Sequence, residues 1–158
     1  MNQPLPVSIY KHWAGALGLF LIGTASLLLV FWALAMSYEF MWGDPWLMFL
    51  ISVLIVFVIA AITGISIYVY YLSYFKLSDA GITVVKWSTL FHSQTTTTEW
   101  SDIQDVSAVK SGIFAQLLPF GTVNVQTSGT LQNLRMTFTP DADYWREVVA
   151  YYADQATT

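Results

Sequence analysis

The chain has 158 residues, of which 56% are hydrophobic and 10% are charged, against about 45–50% and about 25% in typical soluble domains. This composition argues against a wholly soluble protein. The net charge of −4 disfavours nucleic acid as a partner, and the lack of cysteine excludes disulfides, thiolate nucleophiles and zinc–thiolate sites.

Two long stretches near the N-terminus carry no formal charge. They run from His12 to Tyr38 and from Pro45 to Phe75, and each exceeds the ~20 residues that a helix needs to cross a bilayer. The sequence therefore predicts that residues 1–75 form an N-terminal segment and two transmembrane helices, at about 13–38 and 46–72. A signal peptide cleaved near Ala33-Leu34-Ala35 is the alternative for the first stretch, but its length and the second stretch favour a span.

The connection between the two spans is short, from Glu39 to Asp44, so the helices are predicted to be antiparallel neighbours. Aromatic residues cluster at both ends, as expected at membrane interfaces. Lys11, Lys76 and Lys86 flank the end opposite the connection, which itself carries only acids. The positive-inside rule then places both termini in the cytoplasm.

Small residues one turn apart predict where the two spans approach each other. They are Ala14 with Gly18 and Ala60 with Gly64, and this spacing permits close backbone approach. We expect the contact to lie within the hairpin, with self-association as the alternative. Serine and threonine hydroxyls in the spans are expected to bond to backbone carbonyls or across to the neighbouring helix.

From residue 76 the pattern changes to short alternating segments separated by turn residues, which predicts a mainly β domain over residues 76–158. Asp79-Ala80-Gly81 indicates a tight turn between the first two strands, and Ser128-Gly129 indicates another turn. The threonine-rich segment Gln94–Trp100 has no apolar face and predicts a solvated or edge strand. The predicted strands are Tyr74–Ser78, Ile82–Trp87, Gln94–Trp100, Ile103–Val109 and two more around Val123–Val125 and Leu134–Phe138.

The C-terminal segment has apolar residues at helical spacing, which predicts an amphipathic helix. Thr139 is its predicted N-cap, with Pro140 in the first turn. Trp145, Val148 and Tyr152 share its apolar face. We expect Trp145 to be buried against the strands.

The order of these segments resembles the bacterial pleckstrin-homology (PH) domain membrane proteins of the YdbS/YdbT type, over Tyr74 to Ala153. The resemblance implies a PH-like barrel of about seven antiparallel strands capped by a C-terminal α-helix, in a multi-pass protein of the bacterial plasma membrane. It is carried by Leu77-Ser78-Asp79-Ala80-Gly81-Ile82, Trp100-Ser101-Asp102-Ile103-Gln104-Asp105-Val106 and Gly121-Thr122-Val123-Asn124-Val125.

The sequence offers little that predicts catalysis, and we expect neither an enzyme nor a bound cofactor. The two histidines, His12 and His92, are interpreted as surface residues. The acidic pairs Asp102/Asp105 and Asp141/Asp143 are explained by a strand start and a helix first turn. Basic residues are scattered rather than clustered, so specific phosphoinositide binding is not expected.

One apolar segment between Lys110 and Gly121 is the candidate interaction surface. Its large residues are Ile113, Phe114, Leu117, Leu118 and Phe120. We favour a short helix that packs over the domain. The alternative is an exposed patch that meets a partner or the bilayer surface.

Two functions fit these features. The first is a membrane-anchored, non-enzymatic module for protein recruitment, scaffolding or self-assembly at the cytoplasmic face of the membrane. The second is an accessory subunit of a larger membrane complex, for export or envelope stress, that contacts partners through its transmembrane hairpin. Both predict the lipid bilayer and either a protein partner or a homo-oligomer as partners.

Overall fold

The computed structural model describes residues 4–38, 44–128 and 133–157. The chain divides into two compact units, which we call the β unit (Met1–Gly15 with Val69–Thr158) and the helical unit (Ala16–Tyr68). This division differs from a boundary at residue 76, because the segment before the first helix and the end of the second pack with the strands. The predicted hairpin tip at 39–43 and the turn residue Gly129 lie outside the described residues.

Two long apolar helices run through the N-terminal half of the described chain. They are α1 (Trp13–Tyr38) and α2 (Pro45–Leu72), and both are long and apolar enough to cross a membrane. Almost none of their residues are buried within the protein, whereas the core helix of a soluble domain is mostly buried. Exposed apolar helices of this kind are stable in lipid, because a helix satisfies its own backbone hydrogen bonds.

Within the helical unit, hydroxyl groups bond to their own helices as expected. Ser26 and Ser66 donate to the carbonyls of Ile22 and Ile62, each at 2.8 Å. A side chain at Gly23 would collide with Thr63, so this glycine lets α1 and α2 approach closely. A Cβ at Gly18 or Gly64 would meet nothing within 4 Å. The prediction that these two glycines mediate helix contact within the hairpin is therefore wrong.

The described part of the β unit contains two antiparallel sheets, of four and three strands. The first has the order β1-β2-β3-β4 and the second β5-β6-β7. No strand ladder joins the two sheets among the described residues, so they do not form a closed barrel there. The strands are β1 (Val7–Tyr10), β2 (Tyr74–Ser78), β3 (Gly81–Thr89), β4 (His92–Glu99), β5 (Ile103–Val109), β6 (Phe120–Thr127) and β7 (Leu134–Pro140).

Strand β1 lies before the first span, where the sequence predicted no strand. It pairs with β2, so that Ile9 lies opposite Phe75 and Ser8 opposite Lys76. Ile9 is 3% exposed and belongs to the hydrophobic core, whereas Ser8 is exposed. The N-terminal segment is therefore an integral edge strand of the β unit.

The predicted turn at Asp79-Ala80 joins β2 to β3, and the predicted edge strand is β4. Gly81 has a φ of +149°, and a side chain there would collide with the Thr98 carbonyl of β4. Glycine is thus required where β3 begins. The tip between β3 and β4 carries Phe91, which is 95% exposed.

The core lies between the two sheets and the C-terminal helix α4 (Ala142–Thr157). Trp100 follows β4 in a short 3-10 turn and is buried rather than solvated. Its indole N–H donates to the Ser78 carbonyl at 2.9 Å, and its ring lies 5.4 Å from that of Tyr152. The fully buried side chains include Leu77, Ile82, Val123, Val125, Met136, Val148 and Val149.

Helix α4 packs its apolar face on the core as predicted, but it begins later than the sequence indicated. Thr139 lies buried in β7, where its hydroxyl donates to the Met136 carbonyl at 2.9 Å. The prediction that Thr139 caps the helix is therefore wrong. Asp141 precedes the first turn, and its carbonyl accepts from the Trp145 N–H at 3.2 Å. Trp145 itself is half-buried against the core.

Candidate functional site

The candidate apolar segment forms a short helix, α3 (Ile113–Leu117). Ile113, Phe114 and Leu117 are 76%, 74% and 75% exposed. The expectation that these three side chains pack over the domain is therefore wrong, and they form an exposed patch. Leu118 and Phe120 are half-buried. We call Ile113, Phe114 and Leu117 the α3 patch.

Local backbone geometry holds α3 in place. Gly112, with a φ of +92°, precedes the helix, and buried Ala115 attaches it to the β unit. After the helix, the N–H of Leu118 donates to the Phe114 carbonyl at 2.9 Å, and the N–H of Phe120 donates to the Leu118 carbonyl at 2.8 Å. The helix is thus fixed beside the start of β6.

Four aromatic rings meet where the chain enters and leaves the long helices. They belong to His12, Tyr70, Phe120 and Phe138, and we call them the junction cluster. The rings of His12 and Phe120 stack at 5.4 Å, as do those of Phe120 and Phe138. Tyr70 meets Phe138 edge-on at 5.9 Å. Residues from β6 and β7 therefore contact both junctions.

Hydrogen bonds also connect residues of the junction cluster. The Tyr70 hydroxyl donates to the His12 carbonyl at 2.6 Å, and the His12 N–H donates to the Phe138 carbonyl at 2.7 Å. The ammonium of Lys11 lies 4.9 Å from the centre of the Tyr70 ring. Phe138 has a φ of +55°, which is an outlier for a bulky residue. The surrounding contacts hold it in this conformation.

The sequence does not predict that these four residues meet. The aromatic residues near the span ends indicated an interface belt, which assigns depth but no tertiary contacts. Phe120 belongs to the apolar segment between Lys110 and Gly121, and Phe138 to an alternating strand, and neither pattern indicates a contact between the two. The signal that could have found the junction cluster is the position of Phe120 and Phe138 at the ends of two adjacent strands.

The imidazole of His12 caps the first turn of α1. Its Nδ1 accepts the Ala14 N–H at 3.2 Å, and burial lowers the pKa of His12 below 6.5. The folded state therefore binds the proton less tightly than the unfolded state. This contribution to stability is complete above pH 6.5 and is lost as the pH falls through the lowered folded-state pKa.

We therefore expect the free energy of unfolding of the full chain in detergent to fall as the pH drops below about 6.5. His12→Asn keeps a capping acceptor without the titration, so part of this pH dependence should disappear. His92→Asn, in exposed strand β4, is the matched control for replacing a histidine with asparagine. An identical pH profile for His12→Asn and the unmodified chain would show that protonation of His12 does not contribute to the pH dependence.

The two acidic pairs make separate local contacts in the part of the chain that the structure describes. Asp143 makes an ion pair with Lys110 at 2.6 Å, which lowers the pKa of Asp143 and raises that of Lys110. Asp102 accepts the Ser128 N–H through its carbonyl at 2.7 Å. Among the described residues, no group of three His, Cys, Asp or Glu could hold a metal ion.

Comparisons with family models, with curated proteins and with solved structures found no match to the chain.

Proposed function

We propose that the chain is a membrane-anchored, non-enzymatic module that holds a PH-like β unit at the cytoplasmic face of the bacterial plasma membrane, where it recruits a protein partner, scaffolds or self-assembles. The observation that carries this proposal is the junction cluster. His12 precedes the first helix, Tyr70 lies in the last turn of the second, and the two are joined by a hydrogen bond of 2.6 Å.

The β unit is connected to both α1 and α2, and two connections restrict its motion more than a single flexible linker would. Only two residues separate β1 from α1, and only Ser73 separates α2 from β2. No long linker separates membrane and strands at either junction. A partner confined to the same membrane plane therefore meets the β unit at a high effective concentration.

Charge supports the cytoplasmic placement. Lys11 follows β1, and Lys76 and Lys86 lie in β2 and β3. All three lysines therefore belong to the β unit, which includes the first residues of α1 and the last residues of α2. The opposite ends of the helices are flanked by Glu39 and Asp44 in the sequence, with no base between them. The positive-inside rule favours the lysine-bearing side as cytoplasmic.

The alternative is an accessory subunit of a larger membrane complex, for export or envelope stress, which contacts partners through the hairpin. A groove of about 250 Å³ in the helical unit favours it. Gly23, Ser26, Thr63 and Ser66 line this groove among apolar side chains. Small and hydroxyl-bearing residues are enriched where transmembrane helices associate.

Copurification after a hairpin exchange distinguishes the two functions. Residues 16–68 are replaced by an unrelated two-helix hairpin, which leaves both halves of the β unit in place. If partners or self-assembly follow the β unit, the exchanged chain retains them; if they follow the hairpin, it loses them. The hairpin alone, residues 13–72, is the control. A fragment of residues 76–158 is unsuitable, because it lacks β1 and the first two residues of β2.

The recruiting proposal fails if the exchanged chain binds no more protein, and assembles no more, than an unrelated membrane protein of similar abundance. Retention of partners by the hairpin control alone would favour the accessory-subunit function instead.

A further inference from the structure

The α3 patch places three large apolar side chains on the exposed surface of one short helix of the β unit. Leu117 is four residues from Ile113 and three from Phe114, and these spacings place side chains on one side of a helix. Ala115 is 3% exposed and faces the domain. The helix therefore presents a compact apolar surface to its surroundings.

A short chain of contacts connects this patch to the start of the first span. The Phe120 ring stacks on His12 at 5.4 Å, and the His12 ring lies 5.2 Å from that of Trp13. Trp13 is the first residue of α1 and is 52% exposed. Tryptophan at this position is typical of the membrane–water interface. The junction cluster thus lies next to the expected level of the lipid headgroups.

Leu117 is three residues from Phe120, which limits their backbone separation to about 11 Å. All the residues in this chain of contacts belong to the β unit. The α3 patch is therefore held within a short distance of the point where the chain enters the bilayer.

We propose that Ile113, Phe114 and Leu117 insert into the interfacial layer of the bilayer that α1 and α2 cross, giving the β unit a third membrane contact. This inference rests on the proposed membrane anchoring. It assigns the lipid bilayer, rather than a protein, as the occupant of the α3 patch.

The size of the patch favours lipid over a protein. Stable protein interfaces bury about 800 Å² on each partner, and three side chains on a five-residue helix supply only part of such an area. A bilayer contact needs no minimum area here, because the two spans already confine the patch to the membrane surface.

The charges beside α3 predict which lipids matter. Lys110, the nearest base in the sequence, is paired with Asp143 at 2.6 Å, and Asp141 nearby is exposed. The segment therefore carries no unpaired base to attract anionic headgroups. We expect insertion to depend on the apolar side chains and to be equal in neutral and anionic bilayers.

Spin labels on the full chain in phosphatidylcholine vesicles test this inference. The chain has no cysteine, so single variants give unambiguous labels. Ile113→Cys and Leu117→Cys report the patch, Ala80→Cys is the control in the exposed β2–β3 turn, at the end of the sheet opposite the α2 junction, and Leu28→Cys reports the span. The readout is accessibility of the label to oxygen, which partitions into lipid, and to a water-soluble nickel chelate.

We expect labels at 113 and 117 to favour oxygen over the chelate, as at 28, and the label at 80 to show the reverse. Adding phosphatidylglycerol should not change this order. If 28 reports lipid while 113 and 117 match 80, the bilayer assignment fails and the anchoring stands. If 113 and 117 are shielded from both reagents, a protein contact covers the patch and the inference is wrong. If 28 does not report lipid, the anchoring and the inference both fail.

Discussion

Replacing Ile9 with alanine should lower the free energy of unfolding of the β unit by about 2–5 kcal/mol. Ile9 is 3% exposed and lies opposite Phe75 in the sheet, so truncation removes buried area and leaves a cavity. The measurement is denaturant unfolding of the full chain in detergent, followed by hydrogen exchange of β2 and β3.

The matched control is Ser8→Ala, on the exposed face of the same strand, which should change stability by no more than about 0.5 kcal/mol. Equal effects of the two substitutions would show that β1 does not belong to the folded core.

Trp100→Ala should cost about 3–5 kcal/mol, because it removes a large buried ring from between β2 and α4. Trp100→Phe separates packing from hydrogen bonding. It keeps most of the ring contact with Tyr152 but leaves the Ser78 carbonyl without its indole donor, and we expect a cost of about 1–3 kcal/mol. The same unfolding measurement applies to both variants.

Trp46→Ala is the control for Trp100, because Trp46 is 74% exposed and lies in the helical unit. It should leave the unfolding of the β unit unchanged. If Trp100→Phe were as stable as the unmodified chain, the bond to Ser78 would contribute nothing and the proposed role of the indole would be wrong.

Local patterns predicted most of the secondary structure. Continuous apolar stretches gave the two long helices, and alternation gave β5 at Ile103–Val109, as the structure has it. The threonine-rich strand β4 was correctly predicted as an edge strand, since it has no apolar face to bury. These features depend on neighbouring residues, which a single sequence displays directly.

Features that depend on distant residues were not predicted. β1 has four residues and adjoins a span, so neither its length nor its alternation separates it from the apolar region. Its pairing with β2, more than sixty residues later, brings the N-terminal segment into the core. Trp100 is the last residue of the predicted edge strand. It is nevertheless buried, because its indole N–H donates a hydrogen bond to the Ser78 carbonyl.

The candidate site was predicted in part. The sequence identified α3 as a short apolar helix, but helical spacing alone does not show which side of a five-residue helix faces the domain. Buried Ala115 settles this, because it directs the three large side chains outward. The junction cluster joins residues from α2, β6, β7 and the connection between β1 and α1, and its assembly follows from the tertiary fold.

The location of the β unit is tested most directly by cysteine accessibility in intact cells. Asp44→Cys places a thiol at the start of α2, and Gln94→Cys places one on exposed strand β4. With a membrane-impermeant maleimide, the Asp44→Cys variant should be labelled in intact cells, and the Gln94→Cys variant only after lysis. Labelling of Gln94→Cys in intact cells, or of Asp44→Cys only after lysis, would contradict a β unit at the cytoplasmic face of the membrane.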